Sequence, residues 1–151
     1  MPGRFIAALL LTGYSALLLL ITLGPVPQRL VGSEAPFGVL SLDLWFEAST
    51  WESGRLYEFV LNVLIFVPWG VLALIAFGER RWMVAALLGV ALTVAIEIAQ
   101  IPLPRISDPR DLVANTLGVL VGVGMAAVAR AVFARTRGRE RMSVGSSSLA
   151  P

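Results

Sequence analysis

The sequence predicts an all-α integral membrane bundle of four transmembrane helices, on three observations. Hydrophobic residues make up 57% of the chain, and the mean hydropathy is +0.81, which exceeds what an ordinary soluble core requires. The apolar residues come in four long runs, and about 20 such residues are enough to cross the hydrocarbon layer. Polar and charged residues collect between the runs. A length of 151 residues fits a single domain.

The first apolar run covers about Phe5 to Leu23 and follows Arg4. A secretory signal peptide is the alternative, but its apolar region is normally only about 7–15 residues, followed by a small-residue cleavage site. Here Leu23 is followed by Gly24 and Pro25, a poor cleavage site. We therefore predict an uncleaved first helix.

Residues 24–58 form the longest polar connection, and the balance of its charges is acidic. Its apolar residues, among them Trp45, Phe46 and Trp51, are interrupted by charged ones. Tryptophan prefers the headgroup layer, so a short helix lying at the interface fits this stretch. A plain loop over the helix ends is the alternative.

The second run, about Phe59 to Phe77, carries Asn62 near its start. Pro68 lies inside it and predicts a kink, because proline removes one backbone hydrogen bond and clashes with the preceding turn. The third run extends from about Trp82 to Ile101.

The fourth run, about Arg110 to Phe133, follows a helix-start signal. Asp108 is the expected N-cap and Pro109 the first helical residue. Small residues recur inside the helix at every fourth position, a stripe that lets another helix approach closely: Ala114, Gly118, Gly122 and Ala126. We interpret the stripe as helix packing, with a homo-oligomer through it left open.

The transmembrane domain is assigned to residues 1–135. The tail 136–151 is polar and rich in Gly and Ser, so it is predicted to be disordered. Arg4, the Arg80–Arg81 turn and the Arg-rich tail would lie on one side of a four-span bundle. The positive-inside tendency makes that side cytoplasmic, so both termini are expected in the cytoplasm.

A dense polar segment, Glu97 to Asn115, joins the third and fourth helices. Glu97 and Gln100 share one helix face. Asp111 and Asn115 are four positions apart and share a face of the next helix. With the start of the second helix, seven residues converge at the outward surface and are the predicted ligand-binding set: Asn62, Glu97, Gln100, Arg105, Asp108, Asp111 and Asn115.

Within this cluster we expect Glu97 to pair with Arg105, with Arg110 or Asn62 as its next candidate partners. Pro102 and Pro104 stiffen the turn so that Arg105 can fold back over the helix end. An Arg fork satisfies both oxygens of a carboxylate, and a carboxylate near hydrocarbon is costly without a partner.

Three segments together resemble the VanZ-like family of small multi-spanning bacterial envelope proteins. They cover roughly residues 59–125 and are Asn62-Val-Leu-Ile-Phe-Val-Pro-Trp-Gly70, Glu97-Ile-Ala-Gln100, and Pro104-Arg-Ile-Ser-Asp-Pro-Arg-Asp-Leu-Val-Ala-Asn-Thr-Leu-Gly118. The resemblance implies location in the bacterial inner membrane, as a multi-pass protein, and an envelope role. The founding member is linked to resistance to the glycopeptide teicoplanin, but the family implies no settled biochemical activity.

Three classes of function follow from the cluster. In the first, it binds a lipid headgroup, a lipid-linked precursor or a cell-wall glycopeptide. In the second, it is an enzyme whose candidate catalytic residues are Glu97, Asp108 and Asp111, acting as a carboxylate pair or through a divalent cation. In the third, the cluster only locks the hairpin, with Asp108 as a cap and the amides as interhelical bonds.

Composition narrows the chemistry further. The chain has no Cys and no His, which removes thiolate sites and the commonest acid–base group. We predict no cofactor and no dedicated metal site. Membrane lipid is the expected partner, and nucleic acid is not, because the short Arg-rich tail lies beside anionic lipid.

Overall fold

The computed structural model describes residues 2–24, 36–52, 55–103 and 105–147, with side chains up to 137. Pro25 and Pro104, which entered the sequence predictions, and the tail residues 148–151 lie outside this description. Six α-helices are present in the described part, together with 3₁₀ turns at Gly38–Leu40 and Glu79–Arg81: α1 Pro2–Leu23, α2 Leu42–Phe46, α3 Ala48–Glu52, α4 Leu56–Phe77, α5 Trp82–Gln100 and α6 Pro109–Ser147.

Four of these helices, α1, α4, α5 and α6, are long and apolar enough to cross a membrane, which confirms the predicted fold class. For α6 the apolar span is the part Pro109–Arg137. Many large apolar side chains on these helices are exposed, as expected for helices whose outer faces meet hydrocarbon. The buried core is correspondingly narrow and centres on Phe66, Trp69 and Val119.

The closest approach between spans is that of α4 and α6, and it depends on glycine. A Cβ built on Gly118 would lie 2.2 Å from the backbone oxygen of Val63, and one on Gly122 would lie 2.1 Å from that of Val67. Gly70 of α4 is equally restricted, since its Cβ would meet a backbone oxygen of α6 at 2.2 Å. The two backbones therefore touch, as a small-residue stripe allows.

This contact settles where the small-residue stripe of α6 faces. Ala114, Gly118, Gly122 and Ala126 are all buried within the monomer. The packing interpretation is confirmed. The stripe is not open to a second copy of the chain, because α4 of the same chain already covers its glycines.

Side-chain hydrogen bonds fasten α1 to α4. The Tyr14 hydroxyl donates to the Ile65 carbonyl at 2.7 Å, and the Trp69 indole N–H donates to the Ser15 hydroxyl at 2.9 Å. At the N-terminal end of α1, the Arg4 guanidinium donates to the carbonyls of Ala76 and Phe77 at the end of α4. These carbonyls lack intrahelical partners, so Arg4 caps the helix.

The same end of the bundle also holds the turn between α4 and α5. Arg130 of α6 makes an ion pair with Glu79 of this turn, with an N–O distance of 3.6 Å. Arg4, Glu79 and Arg130 thus lie together, as four antiparallel spans require.

The arrangement allows a direct test of orientation. Reporter fusions at Arg80 and Ser143 should both give cytoplasmic signals, and a fusion at Glu47 should give an external signal, because the Arg-rich end stays inside. A paired alkaline phosphatase and green fluorescent protein assay measures both states. A cytoplasmic signal at Glu47 would show that the predicted orientation is wrong.

Three further sequence predictions concern the first long connection, the C-terminal tail and Pro68. Short helices, α2 and α3, do form in the first long connection. The predicted disorder from residue 136 is wrong for the backbone of residues 136–147, which continues α6. Arg, Glu and Met, which are good helix formers, extend the helix there despite Gly138. The helix α4 is continuous through Pro68, and its bend stays a prediction.

Candidate functional site

A cavity of about 200 Å³ lies at the opposite end of the bundle from Arg4, and all four spans contribute to its wall. All seven residues of the predicted ligand-binding set line it: Asn62, Glu97, Gln100, Arg105, Asp108, Asp111 and Asn115. The sequence therefore predicted correctly which polar residues come together. Their role in binding stays a prediction.

The convergence follows from where each residue stands on its helix. Asn62 lies in the second turn of α4, and Gln100 is the last residue of α5. Asp111 and Asn115 occupy the first two turns of α6, and Thr22 is near the end of α1. Antiparallel packing brings these four helix ends to the same level.

Glu97 is the most enclosed carboxylate, with 1% of its surface exposed. Its Oε2 accepts a hydrogen bond from the backbone N–H of Asp108 at 3.1 Å, and the Ser107 side chain forms another hydrogen bond with it. The chain thus turns back after α5 so that the α5–α6 connection supplies the donors. A buried carboxylate needs such partners.

Arg105 does not pair with Glu97, so that prediction is wrong. Its Nε and Nη2 donate to the Gly24 carbonyl at 3.0 and 2.7 Å, and its Nη2 also donates to the Ile21 carbonyl at 2.8 Å. The last carbonyls of α1 have no intrahelical partner and attract a cation. Partial burial lowers the pKa of the Arg105 guanidinium, which nonetheless stays charged at neutral pH.

Neither of the other expected partners of Glu97 takes that role among the described residues. Arg110 lies over the Phe59 ring, with its guanidinium carbon 5.7 Å from the ring centroid. Asn62 instead donates its amide to Asp111 Oδ1 at 2.7 Å. The Asn62 side chain therefore reaches the fourth span, through Asp111 rather than Glu97.

Asp108 caps α6, as the sequence indicated. Its Oδ1 accepts the backbone N–H of Arg110 at 2.9 Å, and its carbonyl accepts the N–H groups of Asp111 and Leu112 at 3.0 and 3.2 Å. This geometry satisfies donors that the first turn of a helix leaves unpaired. The side chain of Asp108 therefore has a structural role beside its place in the cavity wall.

Two amide oxygens in the wall are buried without any hydrogen-bond partner among the described residues, Gln100 Oε1 and Asn115 Oδ1. The side chains are 7% and 3% exposed, respectively. Gln100 Nε2 donates to the Thr22 carbonyl at 3.0 Å, which fixes its orientation because a carbonyl can only accept. An unsatisfied buried acceptor costs about 1–3 kcal/mol, so these two atoms call for a ligand or water.

Sequence reasoning missed the contributions of α1 and of Ser107. Ile21 and Thr22 line the cavity, but α1 carries no polar motif that could have indicated it. Ser107 is buried, and its hydroxyl accepts the Val39 N–H at 3.1 Å as well as bonding to Glu97. Its place one residue before the cap was the only available signal.

The arrangement favours binding by hydrogen bonds and charge. Within the described part of the chain, no three acidic side chains are grouped in a way that would hold a metal ion. Glu97 and Asp111 do share the cavity wall, which keeps a carboxylate pair available for proton transfer.

A family model described as VanZ/LLP1 matches residues 11–130. The chain belongs to the VanZ/LLP1 family. The match extends the resemblance seen in residues 59–125 to most of α1, and so to every helix that lines the cavity. The VanZ/LLP1 chain is thus a membrane protein of the cell envelope, of the VanZ type. No curated protein and no solved structure matches it.

Proposed function

We propose that this VanZ/LLP1 protein binds the polar headgroup of a membrane amphiphile in the cavity between its four spans. The observation that supports this most directly is the concentration of polar side chains from three spans and one connection in a single cavity. Asp108 and Arg105 have structural partners, but the amide oxygens of Gln100 and Asn115 have none among the residues that the structure describes. Capping and hairpin locking therefore leave part of the wall unexplained.

The apolar part of the wall supports a ligand that also has a hydrocarbon portion. Leu61 and Ile65 of α4 line the cavity beside Asn62. Leu61 is also 52% exposed on the outer surface of a helix that crosses the membrane. A headgroup in the cavity would thus have its acyl chains next to bulk lipid, and it would not have to leave the bilayer.

The size of the cavity favours a headgroup over a larger envelope molecule. About 150 Å³ is enough to hold benzene, whereas drug-sized ligands occupy pockets of about 300–1,000 Å³. At about 200 Å³ the cavity accommodates one compact group. Only one compact group of a lipid-linked precursor or a cell-wall glycopeptide would fit into the cavity.

The Arg distribution supports a cavity that faces outward, where envelope lipids and precursors are presented. An effect on glycopeptide susceptibility, which the family resemblance implies, belongs to the same proposal. A membrane enzyme that uses Glu97 and Asp111 is the second candidate, because both carboxylates face the cavity.

Filling the cavity should abolish lipid retention. We expect Leu61→Trp to lose bound lipid when the protein is released from detergent micelles in native mass spectrometry, because the indole enters the headgroup space. Leu64→Trp is the matched control, since Leu64 is 56% exposed on the same helix and does not line the cavity.

Wild type and Leu64→Trp should retain lipid of unchanged mass. Equal retention by all three proteins would contradict the proposed binding site. Recovery of lipid with an altered mass, absent from Leu61→Trp, would favour the enzyme instead.

A further inference from the structure

The cavity wall has more hydrogen-bond acceptors than it uses. Gln100 Oε1 and Asn115 Oδ1 are the two buried oxygens without partners in the described part of the chain. The Gln100 oxygen is fixed in place, because the Thr22 carbonyl takes the amide nitrogen. If the amide oxygen and nitrogen of Gln100 were exchanged, the amide oxygen would face the Thr22 carbonyl oxygen, and both can only accept.

Several donors in the same wall are already directed to protein acceptors. The Asn62 amide donates to Asp111, and the Asp108 N–H donates to Glu97. Arg105, the cation expected to hold a phosphate or carboxylate, donates to the carbonyls of α1. These three donors are therefore not free to bind an anionic group, which brings only further acceptors.

The charges in the wall agree with this. Four carboxyl groups line the cavity, and only two guanidinium groups do: Glu58, Glu97, Asp108 and Asp111 against Arg105 and Arg110. Arg105 is committed to α1, and Arg110 lies over the Phe59 ring. A ligand that carries both N–H donors and positive charge satisfies the unpaired oxygens and the excess of carboxyl groups together.

We propose that the cavity recognises a primary ammonium group, with Gln100 and Asn115 accepting its N–H bonds and the neighbouring carboxylates supplying the opposite charge. This rests on the proposed function and names its ligand chemistry. A lipid headgroup and an amine on a peptide-bearing envelope precursor both present such a group. A quaternary ammonium carries the same charge but has no N–H to donate.

Lipids that differ only in the headgroup test this inference. Phosphatidylethanolamine, phosphatidylcholine and phosphatidylglycerol with identical acyl chains are titrated into the detergent-solubilised protein, and binding is measured by native mass spectrometry. We expect phosphatidylethanolamine to bind at least about tenfold more tightly than the other two, since a tenfold preference corresponds to about one good hydrogen bond.

Two substitutions at one position provide the control. Asn115→Leu removes the acceptor at similar volume and should erase the preference for ethanolamine. It should not lower the unfolding midpoint, because the oxygen it removes is unpaired. Asn115→Asp keeps an acceptor and should keep the preference. If Asn115→Leu does not fold, Asn115→Asp and the three lipids still decide the outcome.

The results separate this inference from the proposed function. Equal binding of all three lipids, or a preference for phosphatidylglycerol, would overturn the ammonium assignment while leaving headgroup binding in place. Absence of saturable binding by every lipid would overturn both. Retention of the preference in Asn115→Leu would also reject the assignment, as would its loss in Asn115→Asp.

Competition then identifies the source of the amine. Displacement of phosphatidylethanolamine by glycerophosphoethanolamine, but not by a lysine-containing peptide, supports a lipid headgroup. Displacement by the peptide supports an amine presented from the aqueous side. Either result keeps the ammonium group as the recognised feature.

Discussion

Replacing Gly122 with leucine should destabilise the bundle by about 3 kcal/mol or more, the upper part of the range for overpacking. A Cβ at this position would lie 2.1 Å from the Val67 backbone oxygen, and backbone cannot move aside as a side chain can. The α4 and α6 helices would have to separate, which removes the closest packing in the molecule. Unfolding of the purified protein in mixed detergent and sodium dodecyl sulfate measures the change.

Gly124→Leu is the matched control for this experiment. Gly124 lies on the same helix, two residues further on, and nothing is within 4 Å of its Cβ position. The added side chain meets lipid there, and leucine is a better helix former than glycine. Its free energy of unfolding should therefore be at or above that of the wild type. Equal losses for the two variants would show that the cost does not come from the α4–α6 contact.

Replacing Glu97 with leucine should have the second-largest effect, a loss of about 2–3 kcal/mol in the free energy of unfolding. The change leaves the buried Asp108 N–H without its acceptor and removes a partner of Ser107. Each unsatisfied buried donor costs about 1–3 kcal/mol, and the removal of a buried carboxyl group offsets part of that loss.

Glu97→Gln isolates the hydrogen bond from the charge. Its amide oxygen can still accept from the Asp108 N–H, so we expect a loss of about 1 kcal/mol or less. The same unfolding assay compares the two variants. If both lose equally, the charge of Glu97 rather than its role as an acceptor supports the α5–α6 connection, which would contradict the geometry.

The sequence was sufficient for features that depend on local pattern. Four long apolar runs predicted the spans to within a few residues, because hydrocarbon thickness fixes their length. The start of α6 was predicted from Asp108 and Pro109, because a helix cap depends on residues that are adjacent in the sequence. Antiparallel alternation then placed Asn62 and Glu97 at the same end without any knowledge of the packing.

The partner of Arg105 could not be predicted in this way. Its acceptors are carbonyls of Ile21 and Gly24, which every sequence carries and no motif marks. Glu97, a carboxylate in the last turns of the preceding helix, was the expected partner on charge alone. The structure satisfies Glu97 through the Asp108 backbone instead, a donor that is equally invisible in a sequence.

The capping of α1 has a consequence for the order in which the protein is made. The carbonyls of Ile21 and Thr22 in its last turn, and that of Gly24 just after it, are satisfied by Gln100 and Arg105, about 80 residues further along the chain. The ribosome completes α1 first, but the residues that close its end are synthesised only with the third span and the turn after it. The C-terminal end of α1 is thus closed only after α4, to which α1 is fastened, has been made, and the cavity that this end borders cannot exist before then.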